Sequence, residues 1–292
     1  MFQKIKPYIL ILPAMLVVST LFLGGLALGF LQSLGLFSIM GNSHITFNFY
    51  KQLVSSVDFI KSIGLTFKIS VISTTASGAL AMILTYILFI IEENKISKIL
   101  RRIFQLPILV PHITAAYLIG LLFMKSGWIS SITYYFGITK SMEAFPSLIN
   151  NINSVGIIIT YIWKETPFII LMLIPAMQRI ETSWLEIARV FGSARKEFFK
   201  EVVIPLLMST WISSMLIVFA FTFSDFEVPY LLGVTYPKLA AVFSYDIYIN
   251  GELIIRPLAL AANFMLTIIT AILGILAYKI IQKSDIKKQV RW

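Results

Sequence analysis

Lys164 and Glu165 stand side by side inside an apolar run, Trp163-Lys-Glu-Thr-Pro-Phe168. A charge in such a run is costly, so by default it points to a pathway, a relay or a paired structural group. Neighbours on a helix point about 100° apart, so these two do not serve each other. Two readings stand for Lys164: a structural partner and a substrate contact in a pathway. Asp225 and Glu227 lie two residues apart in Phe223-Ser-Asp-Phe-Glu-Val-Pro-Tyr-Leu-Leu-Gly233. Such a pair could hold a cation if both faced a pathway, or form the solvated entrance to an external loop. His112 follows Pro111 and reads as a packed, hydrogen-bonded histidine. Lys61 and Lys68 read as cations that snorkel outward. The chain has two His and no Cys. Thiol catalysis and disulfides are thereby excluded, and the donors for a zinc or haem site are lacking. No G-x-x-x-x-G-K phosphate loop occurs, so ATP hydrolysis is not expected of this chain. No nucleophile–base pair stands out, and an enzyme is not expected.

The elements that must position these residues are membrane helices. Of 292 residues, 58% are hydrophobic and 13% charged, and the mean hydropathy is +0.87. A soluble domain carries about 25% charged residues. A span needs about 20 apolar residues. Six runs qualify: 8–31, 69–91, 106–124, 156–177, 205–223 and 257–281. The first is too long for the core of a signal peptide and is expected to be retained. The fold class expected is an all-α integral membrane protein forming one transmembrane domain over 1–292. The 23 Phe, 12 Tyr and 5 Trp suit bilayer interfaces.

The formal charge is +10, from 24 Lys+Arg and 14 Asp+Glu. With a cytoplasmic N-terminus, 16 of the 24 basic residues fall in inside segments. That asymmetry predicts both termini cytoplasmic, and assigns the positive balance to cytoplasmic loops rather than to nucleic acid. Residues 94–105 read as a short basic amphipathic segment inside. Residues 32–59, 125–155 and 224–256 read as external connections.

One cytoplasmic loop, 178–205, is patterned. Thr182 or Ser183 can cap a helix that runs through Leu185 and Ile187. Gly192 interrupts it. A second amphipathic stretch follows, with Phe198, Phe199, Val202 and Val203 apolar against Arg195, Lys196 and Lys200. Pro205 opens the fifth span, where a missing N–H does no harm. Periodicity alone leaves two readings, an interfacial connector and a docking site for a soluble partner.

The segment resembles the EAA loop of ABC-importer permeases, whose pattern is Glu-Ala-Ala, three residues, Gly, nine residues, Ile-x-Leu-Pro. Glu186, Ala188, Gly192 and Pro205 match in register, and Val202 and Ile204 match conservatively. Ile187, Phe191 and Ser193 depart from it, standing for Ala, Asp and Ala. The resemblance extends through Trp163–Phe168 and Leu106-Pro-Ile-Leu-Val-Pro111, and covers roughly residues 60 to 281. The family is the type I, methionine- and maltose-importer-like permease fold.

The resemblance implies that the elbow, through Glu186, Ala188, Gly192, Ser193 and Pro205, is a coupling helix seated in a cleft of a cytoplasmic ATPase dimer. Glu186 would pair with a basic group there, and Gly192 would permit the tight turn. ATP and Mg would be bound by that partner and no cofactor by this chain. Further partners implied are a second permease, a paralogue, and an extracytoplasmic substrate-binding protein, in a bacterial or archaeal cell membrane. The run around Asp225 resembles permeases of the polyamine, ferric-iron and phosphonate group. It lacks the Gly-Gly-Pro run of maltose-group permeases. The cargo expected is therefore a small charged solute, with Lys164, Asp225 and Glu227 as pathway candidates. A sugar is the alternative. A secondary transporter would show inverted repeats and matching broken helices, which the six spans do not display.

Overall fold

The computed structural model describes residues 2–36, 44–90, 95–178, 180 and 182–289. Every regular element among them is a helix: α1 (Phe2–Ser33), α2 (Asn48–Ser55), α3 (Val57–Ile90), α4 (Lys95–Leu109), α5 (His112–Phe123), α6 (Trp128–Tyr135), α7 (Val155–Gln178), α8 (Thr182–Val190), α9 (Arg195–Phe198), α10 (Ile204–Ser224), α11 (Glu227–Leu232), α12 (Ala240–Asn250) and α13 (Arg256–Gln289). Six stretches of the described residues are long and apolar enough to cross a membrane: Leu10–Ser33, Val57–Phe89, His112–Tyr135, Val155–Gln178, Arg195–Ser224 and Leu253–Leu276.

The chain divides into two units. The first is Met1–Ile60 with Phe243–Ile268. In it Phe30 meets Phe264 edge-on at 5.3 Å, Ser33 Oγ and Tyr50 OH share a hydrogen bond of 2.7 Å, and Ser244 Oγ donates to Ala259 O at 2.8 Å. Leu10, Leu21 and Phe22 on α1 are exposed, as a lipid-facing helix allows.

The second unit is Lys61–Val242 with Ile269–Trp292, and it holds the candidate site. α7 is its central helix. Ile157, Tyr161, Ile169 and Leu173 are fully buried along it. Two apolar clusters flank α7. One gathers Ala81, Leu88, Ile169, Leu173, Phe198, Phe199 and Leu207. Phe89 stacks on Phe198 and Tyr86 meets Phe199 at 4.7 Å, so α3 holds the base of α9. The other gathers Ile69, Ala116, Ile119, Ile157, Tyr161, Val228 and Leu232, which joins α3, α5, α7 and α11.

The structure differs from the hydropathy pattern at two places. The expected third span, 106–124, is split between α4 and α5, with Val110 and Pro111 between them. Pro111 has no N–H to donate, and its ring turns Val110 away from helical geometry. The basic segment that begins at Lys95 runs into the first half of this span as part of α4. The second place is Pro205. It lies in the first turn of α10 as expected, yet the helix does not begin there. The helical path runs from Arg195 to Ser224 through a wide π turn at Phe199–Val203. A proline at 205 cannot donate to residue 201, and its ring would crowd that carbonyl in a regular turn; the wider turn absorbs both.

Candidate functional site

Two constructions stand out in the second unit, an elbow between α7 and α10 and a clamp around the break between α4 and α5. The elbow forms because α8 ends in a local stop. Gly192 has φ +81°, the left-handed region that glycine enters at least cost. Its N–H donates to Arg189 O at 2.9 Å, and Ser193 N–H donates to Ala188 O at 2.9 Å. These two bonds make a Schellman motif that satisfies the last carbonyls of α8. α9 starts at once. Ala194, its N-cap, has no side chain to cap with, and Glu197 Oε2 accepts the Ala194 N–H at 3.1 Å instead.

Glu186 is exposed on α8, and Ala188 and Ser193 are half-buried at the turn. Trp184, Ile187, Val190 and Phe191 are also exposed, the last two at 85%. Apolar side chains displayed this openly on a charged elbow are a surface for a partner or a membrane interface. Trp184, Ile187, Phe191 and Phe198 line a groove of about 480 Å³ there. Thr182 and Ser183, the expected caps, have side chains outside the described residues.

The clamp gathers the residues that the sequence placed in a pathway. Lys164 is 4% exposed. Its Nζ donates to Pro107 O at 2.6 Å and to Val110 O. These carbonyls belong to the broken end of α4, where the Pro107 carbonyl also accepts the Val110 N–H at 3.3 Å. Glu227 Oε2 accepts the N–H of Ile113 at 2.9 Å, in the first turn of α5. Thus an ammonium sits at the carbonyl end of one half-helix and a carboxylate at the N–H end of the next. Each charge matches the helix dipole it faces. In a hydrocarbon setting a break of this kind is tolerated only where protein groups take over the freed backbone.

Two further bonds complete the clamp. His112 Nε2–H donates to Glu165 Oε1 at 2.9 Å, and the His112 ring lies 4.6 Å from that of Phe221. Tyr161 OH donates to Asp225 Oδ2 at 2.8 Å. Asp225 also accepts the N–H groups of Glu227 and Val228, which caps α11. Tyr161, Lys164 and Glu165 therefore share one face of α7, at i, i+3 and i+4. Lys164, Asp225 and Glu227 all belong to this clamp, while Glu186, Ala188, Gly192 and Ser193 belong to the elbow. Lys164 and Glu165 do not bond to each other, as their spacing predicts. Tyr161 and the carbonyls of Pro107 and Val110 escaped the sequence reading. The spacing of Tyr161 from Lys164 and the proline pair at 107 and 111 were the available signals.

Beside the clamp, α5, α11 and residues 147–150 line an open pocket of about 450 Å³, with Tyr117, Gly120, Met124, Ser147, Asn150 and Leu232 on its walls. Asn150 N–H donates to Leu232 O at 3.2 Å, which ties the loop to α11.

Residues 91–285 match the family described as the binding-protein-dependent transport system inner membrane component. The chain belongs to this family. As an inner membrane component of this kind, with six apolar crossing stretches, it is a multi-pass inner-membrane protein. Curated relatives include the inner membrane ABC transporter permease protein YdcU of Escherichia coli K12. The identity is 27% over 176 residues, covering 58% of this chain and 56% of that protein. The match thus spans just over half of the relative's length. The trehalose/maltose transport system permease protein MalF of Thermococcus litoralis is 26% identical over 238 residues, covering 77% and 76%. Among solved structures, a chain of a bacterial ABC transporter involved in the import of the acidic polysaccharide alginate superposes with a TM-score of 0.80. Its identity is 18%, and the superposition covers 97% of this chain and 98% of that one. The inner membrane component described here shares that fold.

Proposed function

We propose that the chain is the membrane-spanning subunit of a type I ABC importer, providing the solute path and coupling it to ATP hydrolysis in a separate subunit. The observation that carries this reading is the elbow α8–Gly192–α9, a two-helix corner closed by two backbone bonds in a chain of the inner membrane component family. It presents Glu186 beside exposed Trp184, Ile187, Val190 and Phe191. A cytoplasmic ATPase dimer is the partner that such a corner suits. ATP and Mg then belong to that dimer. An extracytoplasmic binding protein would deliver the solute, and a second permease, a paralogue, would complete the path. The roles of Glu186, Ala188, Gly192, Ser193 and Pro205 in coupling are part of this proposal. The test is to purify the chain under mild detergent conditions from its native membrane. An ATPase subunit should co-purify, and hydrolysis should rise when the loaded binding protein is added. A chain that purifies free of any ATPase, and transports solute in vesicles without ATP, would overturn it.

For the cargo, the expectation of a small charged solute stood on Asp225 and Glu227 in a run that resembles permeases of the polyamine, ferric-iron and phosphonate group. Both have internal donors: Tyr161 and two backbone N–H groups for Asp225, the Ile113 N–H for Glu227. That observation favours the second reading, a carbohydrate, which the trehalose/maltose relative also supports. Hydrolysis stimulated by binding protein loaded with sugar, and by none of polyamine, iron chelate or phosphonate, is the expected result. The reverse pattern would restore the charged solute.

A further inference from the structure

The two helices that flank the elbow in sequence are the same two that grip the α4–α5 break. α7 leads into the elbow and holds the break from one side, with Lys164 on the carbonyls of Pro107 and Val110 and Glu165 on His112. α10 leads out of the elbow and holds it from the other. Phe221 packs on His112, and beyond the end of α10 Glu227 accepts the Ile113 N–H. Tyr161 and Asp225 tie the two grips together. At the break, Val110 N–H donates to Pro107 O at 3.3 Å and Pro111 O accepts the Ala115 N–H at 2.9 Å, so each bond stays within its own half-helix and neither crosses from residue 110 to residue 111. α5, directly beyond the break, and α11, whose Glu227 holds it, form two walls of the 450 Å³ pocket.

We propose that the α4–α5 break is a joint through which the elbow sets the shape of the α5–α11 pocket, with Lys164 and Glu227 as its positioning residues. A shift of α7 against α10 changes the distance between the two grips. Rigid half-helices cannot absorb that change, because each is held at its broken end by a charge matched to its dipole. It falls on the link between residues 110 and 111, which neither of those bonds crosses, and α5 turns relative to α4. Hinges of this kind are a few element-terminal residues that take up a large backbone change. The ammonium and carboxylate keep the freed backbone groups satisfied while the joint moves, which water would do in a soluble protein and lipid cannot. The proposal rests on the importer reading, since it needs a nucleotide-driven elbow.

The native chain contains no cysteine, so a single Tyr117→Cys reporter on the pocket wall can be read without background. The complex with its own ATPase would be placed in lipid nanodiscs. A charged maleimide would be applied with the ATPase empty and with it trapped by ATP and vanadate. In the Tyr117→Cys background, the labelling rate should differ by about fivefold or more between the two states, the lower end of typical coupling between sites. In Lys164→Met the difference should collapse toward one while vanadate still traps nucleotide. Lys164→Arg, whose guanidinium can also serve two carbonyls, should restore it. Glu227→Ala should act like Lys164→Met. Because Glu227 is exposed, it carries the test if Lys164→Met fails to accumulate. Equal labelling in the two states of the reporter alone overturns the joint. So does a full difference in Lys164→Met and Glu227→Ala. Failure of the parent complex to trap nucleotide at all would instead overturn the importer reading.

Discussion

Replacing Gly192 tests the elbow most directly, and its cost can be worked from geometry. The residue has φ +81°, and a Cβ built there meets no atom within 4 Å. Sterics with the rest of the chain are therefore absent, and the whole penalty is local. An L residue in the left-handed region costs about 1–2 kcal/mol relative to glycine. A chain that escapes the strain must open the turn and give up the bonds of Gly192 N–H to Arg189 O and Ser193 N–H to Ala188 O, both 2.9 Å. Either way the docked shape of α8 and α9 becomes a minor state of the free elbow, and partner affinity falls by the fraction that remains competent. A cost of about 1–2 kcal/mol corresponds to a roughly 5–30-fold weaker association. Gly192→Ala should lie in this range and Gly192→Val at or beyond its upper end, because branching at Cβ adds to the strain. Gly192→Asn should fall closest to the parent, since Asn enters this region more readily than other residues. The assay is titration of the purified ATPase against nanodisc-embedded chain, with membrane abundance measured in parallel. Abundance should stay near normal, because the apolar spans do not depend on the turn. If Gly192→Val binds like the parent, or Gly192→Asn binds as poorly as Gly192→Val, the reasoning from backbone conformation fails.

Glu186→Lys should reach the membrane normally and lose ATPase association, because the exposed carboxylate would become a like charge against a basic partner; association at parental strength would refute the pairing. Tyr161→Phe removes a hydrogen bond to the Asp225 carboxylate, worth about 1.5–3 kcal/mol, and should lower the thermal midpoint in detergent, with an unchanged midpoint counting against the clamp. A Cβ at Gly127 would lie 2.5 Å from Leu121 O and 2.8 Å from both Leu122 O and Met124 O; Gly127→Ala should therefore destabilise by about 1–3 kcal/mol as overpacking does, read as loss of monodisperse protein on heating. A reporter fused after Trp292 should read out as cytoplasmic, as the placement of the basic residues requires; an external readout would invert the topology.

The sequence by itself determined what depends on local composition and short spacing. Six crossing stretches could be read because each helix must meet the hydrocarbon on its own, and that demand is written in about 20 consecutive residues. The corner at Gly192 could be read because its closing bonds run only from 192 to 189 and from 193 to 188. Family membership followed from the same short register between Glu186 and Pro205. Tertiary structure decided the rest. The third span looks continuous by hydropathy, since the residues around Pro111 are as apolar as a helix interior, and a proline does not by itself say whether a helix bends or stops. The break is held by bonds between residues 53 to 114 positions apart. Nothing in a single sequence pairs Lys164 with the carbonyl of Val110 or Glu227 with the amide of Ile113. A charge written into an apolar run is costly without a partner, so the sequence could say that Lys164, Asp225 and Glu227 matter. Which partner each one finds is set by how α4, α5, α7, α10 and α11 pack, and only that packing put Lys164 and Glu227 on the two ends of the broken helix and Asp225 on Tyr161 and the start of α11.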